Sequence, residues 1–277
     1  MYYDKRKREI VDRCNICGKT LKLTWDHVPP KFCDNNRSKE YRLSFGIDQH
    51  HKKEFPWTSQ DGIKFRSLCE HCNSQLLGAR CDAYYRHFVN QVKTCLDSSL
   101  YLPAVLNYKI AVNRVARAII GHMLAAKNAY EESTIDIDMR EYFLDSSAKP
   151  PKGYHLYYRL HPYSQSFIAR DISCGRIILK DTDPIPTGVC SCINAFPLAF
   201  LLVSNNDHLP FNDLFAFCTD NIDYKYSVPL NSSSVFFENG HLARPYDWPC
   251  NITDNTQGSQ FILAGASAKD IVAAKNK

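Results

Sequence analysis

No stretch of this 277-residue sequence is apolar for long enough to cross a bilayer as a helix. The longest apolar run, Phe196 to Val203, falls well short of the roughly 18 residues required. A transmembrane helix and a membrane partner are therefore not expected. The first residues, MYYDKRKRE, are charged and lack the apolar core of a secretory leader, so a cytoplasmic location is expected. Internal repeats and low-complexity tracts are missing as well, which argues against a solenoid or a disordered array.

Also missing is the pattern of a disulfide framework, which belongs to small secreted chains. The 12 cysteines of a cytosolic protein should instead be thiols or metal ligands. Hydrophobic residues make up 44% of the chain and charged residues 23%, as in ordinary globular proteins. Such a length allows one large domain or two small ones. The net charge of +5 is concentrated early: residues 1–100 hold 18 Lys+Arg against 12 Asp+Glu. A basic first third suits a polyanion such as nucleic acid, although a solvated basic surface would give the same surplus.

Texture divides the chain. Residues 1–98 are loop-rich with short apolar stretches such as LKLTW, followed by an amphipathic run from Ser74 that carries Leu77, Cys81, Tyr84, Tyr85, Phe88, Val92 and Cys95 at helical spacing. A second helix is expected from about Pro103 to Tyr130, on Val105, Tyr108, Val112, Val115, Ile119 and Met123, with Pro103 in its first turn. Its Lys109, Arg114 and Arg117 read as solvated charges on the polar face. After Pro150-Pro151 come aromatic and β-branched runs: YHLYYRL, SFIARDI, GRIILKD, FPLAFLLV, LFAFCTD and YKYSVPL. They predict an antiparallel β-rich region. The final ASAKDIVAAKNK suits a short helix or a frayed end. The expected class is α+β, with a stapled module over 1–98 and a helix plus β-rich accessory part over 99–277.

Two pairs, Cys14-Asn-Ile-Cys17 and Cys69-Glu-His-Cys72, have the two-residue spacing of zinc knuckles. Gly18 supplies the tight turn after the first. The pairs are 51 residues apart, more than a ribbon needs, so the intervening chain must fold into something of its own. His71 is surplus to a four-cysteine set, Cys33 and Cys81 read as buried thiols, and Cys190-Ser-Cys192 has the wrong spacing.

Between the pairs lies TWDHVPP, residues 24–30. The order Cys-x-x-Cys-Gly, then Asp-His-Val-Pro-Pro-Lys, then Leu-Cys-x-x-Cys-Asn-x-x-Leu-Leu-Gly resembles the zinc-stapled HNH endonucleases over residues 14 to about 88. The resemblance implies a ββα-metal fold in which a hairpin ends at the histidine, a helix starts at the asparagine, and one divalent ion sits between. It implies His27 as general base, Asp26 and Asn73 as ligands of catalytic Mg²⁺ or Mn²⁺, and Cys14, Cys17, Cys69 and Cys72 as ligands of a separate structural Zn²⁺. A neutral imidazole suits proton abstraction from water. A carboxylate and an amide oxygen are hard donors suited to such an ion.

Arg66 and Arg80 lie beside the motif as candidate phosphate contacts, with Lys31 and Lys64 as further basic neighbours. His50-His51-Lys52-Lys53 reads as a solvated loop. One departure stands out: Lys64 occupies the place of the family's middle asparagine, which helps to aim the base. His50, His51 and the neighbours of Asn73 are candidates for that task, none at matching spacing.

The expected function is metal-dependent hydrolysis of DNA, with the second half setting target or trigger, as in a restriction or anti-phage defence effector. A mobile-element role is the other option for a nuclease. A homodimer makes a double-strand break most simply, and a defence-system partner protein is compatible with this scheme. The alternative is a zinc-knuckle nucleic-acid or protein-binding module without turnover, joined to a C-terminal sensor.

Overall fold

The computed structural model describes residues 8–36, 38–43, 57–98, 102–163, 166–174, 188–204, 211–232 and 260–265. His50-His51-Lys52-Lys53, the GRIILKD run and the C-terminal ASAKDIVAAKNK lie outside them. The protein is a mixed α+β chain with antiparallel sheets and a four-cysteine cluster.

β1 (Val11–Arg13) turns back through the first cysteine pair into β2 (Thr20–His27). Gly18 makes the turn at φ +70, a conformation that costs glycine little. β3 (Lys39–Leu43) and β4 (Trp57–Ser59) follow, then β5 (Lys64–Cys69), which pairs antiparallel with β2. That pairing is irregular between Thr24 and Trp25, which changes the side chains that face inward. Leu23 points into the core, so an unbroken period of two would turn Trp25 inward and Asp26 outward. The irregularity reverses this: Trp25 is 41% exposed and Asp26 only 8%.

The second cysteine pair opens a helical segment of π type, His71–Asp82, that runs on into α1 (Ala83–Ser98). Cys72, Leu77 and Cys81 are the buried positions of the first part. Their steps of five and four suit i→i+5 bonding. In α1 the buried set, Tyr85, Phe88, Val89 and Val92, returns to steps of three and four.

The long helix expected over 103–130 is shorter. Val105–Ala111 forms β6, and only Val112–Ala125 is helical, as α2. Val105, Tyr108 and Ile110 are β-branched or aromatic, and the strand pairs residue for residue with β12 (Lys225–Asn231), so the sheet partner decides the conformation. α2 is buried almost all round. Arg117, expected in solvent, is 3% exposed and donates to the carbonyls of Asp145, Ser146 and Ala148. α3 (Thr134–Leu144) is a further helix beyond those the sequence predicts, and Ser133 caps it by accepting from the Asp136 N–H.

β7 (Tyr154–Leu160), β8 (Ser166–Cys174), β9 (Gly188–Ala195), β10 (Leu198–Ser204), β11 (Asn212–Asp213) and β13 (Gln260–Gly265) build the large sheet. Its order is β11-β7-β10-β9-β8-β13-β3-β4. LFAFCTD contributes a 3₁₀ turn, Phe215–Phe217, in place of a strand. One hydrophobic core runs from Cys14 to Leu230. No helix among the described residues is long and apolar enough to cross a membrane.

Candidate functional site

The thiols of Cys14, Cys17, Cys69 and Cys72 all lie within 4.8 Å of one another. Cys17 and Cys69 Sγ are 3.9 Å apart, and the Cys69 N–H donates to Cys14 Sγ at 3.3 Å. Cys14 is pushed down to about 5, first by the hydrogen bond from the Cys72 thiol and then, against burial, by backbone N–H groups. A thiolate among four converging sulfurs fits a structural zinc. His71 is exposed and bonds Gln75, outside the set. Cys33 and Cys81 are buried thiols, each pushed up to about 12 by burial.

Asp26 and His27 end β2 and face different surroundings. Asp26 points inward, where its Oδ2 lies 3.2 Å from Nδ1 of His122 on α2. The other ring nitrogen of His122 lies 2.9 Å from Asp82 Oδ1. Burial opposes charge on His122, yet the Asp82 and Asp26 carboxylates prevail and push it up to about 10. Burial holds the Asp82 carboxyl above its ordinary value, against the pull of His122. Asn73 donates from Nδ2 to Thr24 Oγ1 at 3.0 Å and to the Trp25 carbonyl at 3.1 Å. That ties the start of the helical segment to the strand immediately before Asp26.

His122 and Asp82 are the residues that motif reading misses. His122 sits 49 positions after Asn73 in a helix whose apolar pattern signals only core. Its approach rests on Gly121: a Cβ there would meet Leu77 Cδ1 at 2.6 Å and Phe143 Cε2 at 2.7 Å. α2 is also joined to the segments carrying the cysteine pairs. Asn15 donates to the carbonyls of Leu124 and Lys127, and Ser67 Oγ donates to that of Ala125, satisfying groups a helix end leaves open.

His27 is half-buried, and its Nε2 lies 2.9 Å from the Asp61 carbonyl. The ring must donate there, so Nδ1 carries the lone pair. Burial lowers the His27 pKa, against the Asp61 carbonyl and with help from the Lys31 and Lys64 charges. Asn35 braces the chain two residues beyond that carbonyl. Asn35 is buried, donates to the Pro29 and Ile63 carbonyls, and accepts from the Ile63 N–H at 2.7 Å. Gly62, at φ +69, packs so tightly that a side chain would collide with Asn35. The sequence places Lys64 where the resemblance expects an asparagine beside the histidine; the partner of the His27 ring is instead the Asp61 backbone carbonyl, with Asn35 bracing Ile63 two residues on.

Asn35→Ala leaves the Ile63 N–H and two carbonyls without these partners. It should cost about 1–3 kcal/mol of stability by urea denaturation; a loss below a few tenths would show that water replaces the amide.

Two of the four basic candidates gather beside His27. Lys64 Nζ lies 3.1 Å and Lys31 Nζ 3.6 Å from the Asp61 carboxylate. Arg66 stacks over the exposed Trp25 ring at 4.7 Å. Arg80 does not join them. It lines a separate cleft of about 230 Å³ with Leu76, Arg114, Arg117 and Phe143. A second acidic group, Glu131, Asp136 and Asp171, holds the buried Lys127 ammonium among its carboxylates, so its cation is a side chain.

Comparison of this chain with family models, curated proteins and solved structures finds no match.

Proposed function

We propose that this protein is a metal-dependent nuclease of the HNH type, hydrolysing DNA phosphodiester bonds, with a zinc-stapled ββα-metal module at its centre. The observation that carries the reading is the end of β2. Asp26 is turned inward with its Oδ2 3.2 Å from His122 of α2, Asn73 is bound to the backbone just before it, and His27 is held by the Asp61 carbonyl. Each of these residues has a part in the reaction.

The donors fit the group. Asp26 supplies a carboxylate, and Asn73 keeps its amide oxygen available because its nitrogen does the donating. Both are hard oxygen ligands for Mg²⁺ or Mn²⁺. When bound, such an ion stabilises charge on the scissile phosphate and the leaving oxygen. His27, donating from Nε2, presents Nδ1 as the atom that takes the proton of the attacking water. The Asp61 carbonyl keeps the ring in that tautomer and orientation. Lys31 and Lys64 place positive charge on the same rim, and Trp25 with Arg66 offers a stacking and phosphate-contacting surface.

A nuclease with its own β-rich half suits a restriction or anti-phage defence effector, acting as a homodimer or with a partner protein. A competing reading, a binding module without turnover, draws on one observation: Asp26 is already engaged by His122 at 3.2 Å.

Plasmid cleavage with Mg²⁺ or Mn²⁺ separates the two. Wild-type protein should cut, and His27→Ala should cut about 10²–10⁴-fold more slowly. Equal rates for the two proteins, or none for either, would end the nuclease reading.

A further inference from the structure

We propose that the cleft lined by the helical segment His71–Asp82, α2 and the end of α3 is a binding site for a small organic phosphate monoester. It is separate from the site at the end of β2 and does not depend on the nuclease reading.

Buried charge is the starting point. Arg117 is 3% exposed, and a guanidinium stays ionised at any working pH. Buried charges are ordinarily paired, yet Arg117 forms no ion pair among the described residues. Its Nη2 donates to the carbonyls of Asp145, Ser146 and Ala148, which carry no net charge. Asp145 turns its own carboxylate to the N–H and hydroxyl of Ser147. The Arg117 Nε is buried with no acceptor.

Two further guanidiniums line the same cleft, those of Arg80 and Arg114. Arg114 is matched by Asp223 at 2.9 Å. Arg80 is exposed and, among the described residues, has no carboxylate partner. No acidic residue lines the cleft. Its one thiol, Cys81, is pushed up to about 12 by burial and by Asp82, although all three arginines pull it down, so it stays neutral. Arg80 and Arg117 are therefore left without a counter-charge. A phosphate monoester carries about −1.5 to −2 at neutral pH and accepts from guanidinium forks in bidentate fashion. A phosphodiester or a simple carboxylate brings a single charge.

Size and walls narrow the class. The cleft holds about 230 Å³, less than the roughly 300–1,000 Å³ of sites that enclose a drug-sized ligand. It suits a phosphate with a short organic part. Leu76, Phe143, Leu144 and Ile222 supply apolar walls, which inorganic phosphate would leave uncovered.

Calorimetry on the full chain tests this with phenyl phosphate, inorganic phosphate and phenol. Mg²⁺ and Mn²⁺ are left out, so that an ion at Asp26 cannot recruit the phosphate. Phenyl phosphate should bind once per chain, inorganic phosphate more weakly and phenol not at all. Arg80→Gln, at an exposed position, should weaken phenyl phosphate about tenfold, and Arg117→Met should weaken it further. Should Arg117→Met fail to fold, Arg80→Gln decides alone. Absence of phenyl phosphate binding, or affinity unchanged in Arg80→Gln, overturns the proposal. Inorganic phosphate binding as tightly as phenyl phosphate overturns the organic class. Displacement of phenyl phosphate by a 5′-hydroxyl oligonucleotide, which offers phosphodiesters alone, would return the arginines to a DNA-binding surface and overturn it too. None of these outcomes bears on plasmid cleavage, so the two readings stand or fall separately.

Discussion

Removing zinc by chelation, or replacing Cys69 and Cys72 with serine, should unfold the first part of the chain and destabilise much of the rest. Structural zinc in small domains contributes apparent folding free energies of about 10–16 kcal/mol, more than a typical domain's whole net stability. Here the cysteines are not on a detached appendage. Cys14, Cys69 and Cys72 belong to the same buried core as α2 and β10. Arg140 of α3 donates to the carbonyl of Asn15, inside the first pair. Metal analysis should give about one zinc per chain. Circular dichroism after chelation should show lost helix and a thermal transition that is lowered or absent. A chelated protein that melts as before would mean that the four sulfurs need no metal.

The second large effect is expected at Lys127. Its ammonium is buried among Glu131, Asp136 and Asp171, and Arg170 supports Asp136 and Asp171 from the other side at 3.0 and 3.3 Å. Lys127→Met would leave Asp136, which has no exposed surface, with Arg170 as its close cationic partner and would remove the ammonium from all three carboxylates. Breaking a buried pair by removing one partner costs about 3–5 kcal/mol. Guanidinium denaturation checks this, and a loss under about 1 kcal/mol would mean that Arg170 suffices.

The same cluster has an acid signature. Burial raises the Asp171 carboxyl, but Arg170 and Lys127 outweigh it and hold the pKa at about 2. A depressed carboxylate contributes stability above its unfolded pKa near 3.8, and that contribution is lost as pH falls toward 2. Wild-type stability should therefore decline through this window, and more shallowly in Lys127→Met.

The parts legible in the sequence are those fixed by local chemistry. Paired cysteines at knuckle spacing can meet at one point only if the intervening chain loops back, and they do. The runs YHLYYRL and FPLAFLLV become strands because each alternates or fills both faces of one sheet. Contacts between distant segments were not legible. Val105–Ala111 carries a helical apolar pattern, yet Lys225–Asn231 claims it as a strand. Asn35 looks like any loop asparagine until Ile63 is folded against it. His122 appears as one polar residue in an apolar helix, and nothing nearby in the chain announces Asp26 or Asp82. Arg117 reads as a solvent-facing charge for the same reason: its acceptors are carbonyls of a loop about thirty residues later.

The capping of α2 by Asn15 and Ser67 bears on portability. Motifs of this type look like cassettes, a short unit that could be cut out and grafted onto another scaffold. Here the cassette is not self-contained. A fragment ending at Ser98 would carry all four cysteines, Asp26, His27 and Asn73, yet leave behind the ring facing Asp26 and the carbonyls that Asn15 and Ser67 satisfy. Exchange of the β-rich half for another would have to bring an equivalent of α2 with it, so the two parts of this chain are bound to change together.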